Sequence, residues 1–336
     1  MHGVLKENFA ARRLVGMSGS LPDKTGDRGE SLLVDKSNPI RRKLHKALGW
    51  ALAGIAVALL RAMRLIDRSR MADCLGLIMR KMGPWLSHHR IGRANLKMAF
   101  PTKSDREIEH ILSEVWDNLG RVAAEFAQMD RLRIGRLEDI DLVDVIYDSE
   151  IAALHKSSKP NLYFGAHFAN WEISALVPPA VGIASHVLYR PSNYRAMDRA
   201  IVRMRAGCMG TLVPDTFGAA FRLSSALEQG QHIGLLVDQR YGRGVDVSFF
   251  GRRCKANPLL AQLARTFECK IHGMRFMRQP HNRNRFWGEI TPAIEPPRDA
   301  CGRIDVQGTM QVITSVVEEW VRQDPGQWLW IHNRWR

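Results

Sequence analysis

The stretch NLYFGAHFANWEISALV, residues 161–177, joins two kinds of local structure within a few positions. Its first residues form a short apolar run typical of a buried strand, and the residues after Trp171 suit a helix. Comparable apolar runs recur as ASHVLYR, HIGLLVD and CKIHGMRFM, with helical patterns between them. Strands that alternate with helices predict an α/β fold, with a mostly parallel central sheet flanked by helices.

The turn between this strand and helix carries candidate catalytic residues. His167 follows the predicted strand, and Glu172 lies at the start of the helix. Ligands usually bind at such strand ends, where Glu172 could orient the imidazole while its other nitrogen accepts a proton. Spacing alone also fits a surface pair or a hydrogen-bonded core histidine. No Ser or Cys occupies the turn, so a catalytic pair would activate a substrate hydroxyl. The spacing does not match a zinc motif, and no metal is predicted.

Basic and acidic residues downstream are candidates for substrate binding. The segment VLYRPSNYRAMDRAIVRMRAGCMG contains Arg190, Arg203 and Arg205, and guanidinium groups suit phosphate; a solvated basic helix face is the alternative. Asp238 ends a predicted strand and precedes a glycine-rich loop with Arg240, although Asp238 could also cap that loop.

The N-terminal part has a different character. Residues 1–40 lack the apolar core of a signal peptide and are predicted to be a disordered leader. Residues 41–66 combine a basic cluster with an apolar run that is too short to span a bilayer. They predict a helix lying in the membrane interface, and a buried helix with a charged edge is the alternative. Residues 67–150 are predicted to be mostly helical, with a capping box at Ser104.

Composition narrows the possible partners. The 336-residue chain has a formal charge of +15, which favours nucleic acid, an anionic membrane or an acidic protein as partner. No recognition helix, zinc spacing or aromatic-basic RNA motif is visible, which argues against nucleic acid. The five cysteines are widely spaced, as expected for reduced thiols.

Several segments occur in an order that resembles a known family. They are RIGRANLKMAFP, HFANWE, YRP, VRMR, VDQRYG, FFG and the ending DPGQWLWIHNRWR. Residues 45–336 resemble the late acyltransferases of lipid A biosynthesis, the lauroyl/myristoyl group of the lysophospholipid acyltransferase-like superfamily.

The resemblance implies a function. Such enzymes move an acyl chain from acyl carrier protein to a hydroxyl of a lipid A precursor at the cytoplasmic face of the inner membrane, and acyl carrier protein thioester is the donor without a further cofactor. His167 would be the general base, Glu172 its orienting carboxylate, and Asp238 and Arg203 or Arg205 would be functional. The acceptor could also be a glycerolipid, an ornithine lipid or a mannoside.

The implied domain organisation is an acyltransferase domain over residues 67–336. Its helical part would end at about residue 150, and its α/β catalytic core would begin at about residue 151. A final helix is predicted over residues 306–323.

Overall fold

The computed structural model describes residues 39–136, 144–147, 159–192 and 194–335, so almost all of the predicted leader lies outside the described residues. The N-terminal part is helical. Its helices are α1 (Pro39–Met63), α2 (Arg68–Met82), α3 (Ser87–Ala99) and α4 (Asp105–Phe126), with 3-10 turns at Gly83–Trp85 and Met129–Arg131.

Helix α4 forms the base on which α2 packs. The predicted capping box is confirmed: the Ser104 hydroxyl accepts from the Glu107 amide, and the Glu107 carboxylate accepts from the Ser104 amide. The two helices meet at glycines, because a Cβ on Gly120 would lie 2.2 Å from the Leu75 carbonyl oxygen. This contact needs a residue without a side chain, and it fixes α2 against the body of the protein.

Helix α1 covers most of the segment predicted to associate with membranes. It presents the apolar side chains Trp50, Ile55 and Leu59 to the exterior, where they are 45%, 57% and 56% exposed. Among the described residues, no helix combines the length and apolarity needed to cross a membrane. An interfacial position for α1 stays a prediction.

Among the described residues, eight strands form a central sheet. Its strands are β1 (Ile134–Arg136), β2 (Val145–Tyr147), β3 (Asn161–Gly165), β4 (Ser185–Tyr189), β5 (Thr211–Pro214), β6 (His232–Leu236), β9 (Lys270–Arg278) and β10 (Phe286–Ile290). They lie in the order β1-β2-β10-β9-β3-β6-β4-β5. Of the strand pairs described in this sheet, β9 with β10 is antiparallel and the others are parallel. This confirms the predicted mostly parallel sheet.

The sheet begins earlier in the chain than predicted. Strand β2 pairs with β10, so β1 and β2 belong to the central sheet although they precede residue 151. Each has only three residues, which is too short for a strand pattern to show in the sequence.

Helices flank the sheet as expected. They are α5 (Ile173–Ala180), α6 (Arg195–Ala206), α7 (Ala219–Glu228), α8 (Leu259–Phe267) and α9 (Val306–Gln323). Helix α9 has the predicted bounds, and it packs against a separate hairpin of β7 (Val245–Phe249) and β8 (Arg252–Ala256). After α9, a 3-10 turn at Pro325–Gln327 leads into the C-terminal tail, residues 328–335, which returns to the end of β3.

Candidate active site

The pairing of β3 with β6 brings the two main site residues together. The strands are parallel, and Gly165 lies opposite Leu236. His167 and Asp238 each follow two positions later, so both leave the carboxyl edge of the sheet side by side. This edge is where open α/β sheets bind ligands.

His167 and Asp238 form a close pair. The imidazole Nδ1 lies 2.8 Å from Asp238 Oδ1, and the His167 amide donates to Oδ2 at 2.9 Å. Asp238 Oδ2 also accepts a hydrogen bond of 2.8 Å from the indole N–H of Trp328. The Asp238 side chain is 1% exposed and that of His167 is 15% exposed. A carboxylate held by donors on both oxygens fixes the ring orientation and leaves Nε2 as the nitrogen available for chemistry.

His167 and Asp238 shift each other's pKa. Burial lowers the pKa of His167, but the charge and hydrogen bond of Asp238, with a smaller contribution from the charge of Glu172, raise it above its ordinary value. Burial would raise the pKa of Asp238, yet the His167 charge and hydrogen bonds hold it well below the ordinary range. The pair is therefore built to stabilise an imidazolium.

The predicted contact between Glu172 and His167 is wrong. Both carboxylate oxygens of Glu172 bind one guanidinium group, with Arg205 Nη2 2.5 Å from Oε1 and Arg205 Nε 3.0 Å from Oε2. The imidazole instead lies beside Asp238 and, at Nε2, 3.2 Å from the Gln239 amide nitrogen. The physical reason is that the sheet register places a closer carboxylate beside the ring. Glu172 still lies near enough to influence the pKa of His167.

The turn between His167 and Glu172 is held from several directions. Ala169 has a φ of 45°, a value that non-glycine residues seldom adopt. Its amide donates to the Gln327 carbonyl, and its carbonyl accepts from the Asn118 side chain. Asn170 donates to Glu125, which forms a buried pair with Arg278 at 2.6 Å. These contacts stabilise a strained turn that sends the chain from strand to helix.

A cavity of about 410 Å³ opens beside His167. Its polar lining includes Glu172, Arg205, Gln239, Ser174, Asp215 and Asn257. Its apolar lining includes Ala175, Val187, Leu188, Met209, Leu212, Gly234 and Met274, and the polar and apolar parts are of similar extent. A cavity that combines apolar walls with several convergent polar groups is typical of a site for an amphipathic ligand.

The structure separates the predicted substrate-binding residues. Arg190 and Arg240 line the cavity and are exposed, and neither contacts a carboxylate among the described residues. Arg205 also lines the cavity. Arg203 is on the exposed side of α6 and is not among the residues that line the cavity. Of the two arginines that the sequence left as alternatives, Arg205 is therefore the one at the site.

Two site residues were not predicted from the sequence. Gln239 follows Asp238 directly, so its position beside a predicted site residue was the available signal. Trp328 lies in the tail DPGQWLWIHNRWR, which has no feature that links it to β3 or β6. The described residues contain no group of three or more His, Cys, Asp or Glu arranged to hold a metal ion.

A histidine–aspartate pair at the carboxyl edge of a mostly parallel sheet, beside a cavity with apolar and polar lining residues, is the arrangement expected of the active site of an α/β enzyme. The family model described as bacterial lipid A biosynthesis acyltransferase matches residues 37–336. The chain therefore belongs to that family, and it is an acyltransferase of the lipid A biosynthesis type. A search of curated proteins gives no match.

Proposed function

We propose that the protein transfers a fatty acyl chain from acyl carrier protein to a hydroxyl of a lipid A precursor, with His167 as general base. The family supports acyl transfer in lipid A biosynthesis. One observation carries the catalytic assignment: His167 is bound through Nδ1 to Asp238, and His167 lines the cavity.

The proposed reaction begins with proton transfer. Nε2 of His167 takes the proton of the acceptor hydroxyl, and the oxygen attacks the thioester carbonyl of the donor. The charge of Asp238 stabilises the imidazolium. The tetrahedral intermediate then collapses, the carbon–sulfur bond breaks, and the imidazolium proton goes to the leaving thiolate. The products are the ester and the free thiol, and His167 returns to its neutral form.

Glu172 has a positioning role in this proposal. Its bidentate contact with Arg205 links the first residue before α5 to the last turn of α6. Arg205 also stacks near Phe126, with its guanidinium carbon 5.5 Å from the ring centroid. The pair thus holds the wall of the cavity mouth, and Arg190 and Arg240 supply positive charge there for phosphate groups or for the developing oxyanion.

The charge and the exposed apolar surface support the proposed partners. A net charge of +15 suits an acidic carrier protein, a phosphorylated lipid and an anionic inner membrane. The exposed apolar residues of α1 fit an interfacial position at the cytoplasmic face.

Replacing Trp50, Ile55 and Leu59 by Glu should weaken sedimentation with anionic vesicles, and undiminished sedimentation would contradict a role for α1.

An assay with defined components tests the proposed function. Purified protein is mixed with acyl carrier protein thioesters and a purified lipid A precursor, and mass spectrometry measures the product. We expect an ester on the precursor whose mass matches the donor chain. Transfer to a glycerolipid, an ornithine lipid or a mannoside but not to the precursor would overturn the acceptor assignment. Activity with acyl-coenzyme A as donor, and none with the acyl carrier protein thioesters, would overturn the donor assignment.

A further inference from the structure

The face of the sheet below His167 has an unusual gap. Gly234 lies in the middle of β6, with Tyr163 of β3 on one side and Val187 of β4 on the other. A Cβ built on Gly234 meets nothing within 4 Å. Glycine weakens a strand interior, and beside open space one reason for it is the close approach of a ligand to the backbone.

The gap belongs to the cavity and to one face of the sheet. Gly234 and Leu236 point to this face and are partly exposed, although β6 is a central strand. Ile233 and Leu235 point to the other face and are buried, at 0% and 7% exposure. Side chains alternate between the two faces of a strand, so the exposure reports an open space on one face alone.

Gly234 differs from the other glycine in the cavity wall. A Cβ on Gly165 would lie 3.3 Å from both a Leu236 methyl carbon and the Met274 carbonyl oxygen, so that position is already enclosed. Space for a ligand is therefore available over Gly234 and not over Gly165. Around the open position stand Tyr163, Val187 and, next in register to Val187, Leu212.

The surroundings of Gly234 suit hydrocarbon. Tyr163 is 6% exposed, and its hydroxyl accepts a hydrogen bond from the Asn161 side chain. Burial raises the pKa of Tyr163 to about 12, so its hydroxyl is uncharged at neutral pH. An alkyl chain is the ligand that gains from such a surface, at ~0.8 kcal/mol for each buried methylene, or about four-fold in affinity.

We propose that Gly234 sets the length of the fatty acyl chain that the cavity accepts, because its missing side chain leaves room for the distal end of the chain. Gly234 precedes Asp238 by four positions, ~13 Å along a strand at ~3.3 Å per residue. A carbon–carbon bond of about 1.52 Å at an angle of about 111° advances an extended chain by ~1.25 Å. An extended acyl chain that runs from beside Asp238 to Gly234 would therefore span at most roughly ten carbon atoms. This inference rests on the proposed acyl transfer.

The variants Gly234→Ala and Gly234→Val test the proposal. Both fill the gap by steps, and both should fold, because residues with a Cβ are favoured over glycine in strands. Gly207→Ala is the matched control: a Cβ there also meets nothing within 4 Å, its φ is −83°, and it is outside the cavity lining. The control should keep the wild-type preference for chain length.

Two experimental arms identify which acyl chain occupies the cavity. In one arm the donor chain is varied in steps of two carbons with a fixed acceptor, and in the other the acyl chains of the acceptor are varied. Gly234→Val should lower kcat/KM by about ten-fold or more for the longest accepted chain, and leave chains two to four carbons shorter nearly unchanged. A shift in the first arm supports the donor chain as occupant, and a shift in the second supports the acceptor chain. Retained activity with no shift in either arm would overturn the proposal.

A binding measurement separates this proposal from the proposed function. Free fatty acids of graded length are titrated against the full-length wild type and Gly234→Val, and native mass spectrometry records the bound fraction. The variant should lose the longer fatty acids first, with a fall of about four-fold per displaced methylene. Equal binding of all lengths to both proteins would overturn the role of Gly234, whatever the outcome of the transfer assay.

Discussion

The two carboxylates beside the turn that carries His167 are held in different ways. Asp238 is 1% exposed and accepts from the His167 backbone, the His167 ring and Trp328. Glu172 is 8% exposed and gives both oxygens to a single side chain, Arg205, which borders the cavity. A carboxylate held partly by the backbone is fixed when substrate binds, whereas one held by a single flexible side chain depends on that side chain. From this difference we propose that Asp238 orients the base, whereas Glu172 holds the cavity wall through Arg205.

Loss of the base should have the largest effect. His167→Ala removes the imidazole that Asp238 orients, so we expect kcat to fall by about 10³-fold or more. Acyl transfer to the lipid acceptor is measured under single-turnover conditions, and circular dichroism checks the fold. Full transfer by the variant would contradict general-base catalysis at this residue.

Asp238→Asn should have the second largest effect. The amide keeps the shape but removes the charge that stabilises the imidazolium, and it favours the wrong tautomer. We expect kcat to fall by about 10²- to 10³-fold with little change in KM. A fall in kcat/KM caused by KM alone would instead place Asp238 among substrate-binding residues.

Glu172→Gln should reduce activity less than Asp238→Asn. The substitution leaves Arg205 without its charged partner, and the wall of the cavity mouth loses a fixed contact. We expect kcat/KM to fall by about 10- to 100-fold, because the base keeps its own orienting group. Arg205→Lys keeps the charge but loses the bidentate geometry, so it should show a similar fall. A larger loss for Glu172→Gln than for Asp238→Asn would reverse the comparison.

The smallest effect concerns the tail. Trp328→Phe keeps the ring but removes the N–H that binds Asp238, and hydrogen bonds to charged groups contribute about 1.5–3 kcal/mol. Asp238 keeps both of its contacts with His167, so we expect only about 1 kcal/mol of this to be lost in the transition state, which is a fall in kcat of about five- to tenfold. The matched control is Trp330→Phe, because Trp330 is equally buried and its N–H donates to the Pro325 carbonyl at 2.8 Å, away from Asp238. Equal losses in the two variants would mean that the tail acts on stability alone.

Local pattern was enough to predict much of the fold. The bounds of α9 and the capping box of α4 follow from signals within one element, and both are confirmed. Alternation of strands with helices likewise predicts the parallel sheet. Such features depend on residues that are close together in the sequence. The short strands β1 and β2 were not predicted, because three residues are too few to show a strand pattern.

The partner of His167 could not be predicted in this way. Closeness in sequence favours Glu172 as the partner of His167. The actual partner is set by which strands are adjacent and by their register, with Gly165 opposite Leu236. The contact of Trp328 with Asp238 spans 90 positions and depends on the path of the C-terminal tail. A contact between residues far apart in the chain leaves no signal in the local sequence. His167 and Asp238 were therefore predicted as separate candidates, and their contact was not predicted.

The most direct test of this assignment is the pKa of His167 measured by NMR with ¹⁵N-labelled histidine, assigned by comparison with His167→Ala. The negative charge of Asp238 raises this pKa, and that of Glu172 raises it less. Removing either charge should therefore lower the pKa and move the acidic limb of the kcat/KM profile to lower pH. We expect the larger decrease in the pKa of His167 for Asp238→Asn and the smaller for Glu172→Gln. A decrease that is larger for Glu172→Gln, or an unchanged pKa in Asp238→Asn, would contradict the orientation of His167 by Asp238.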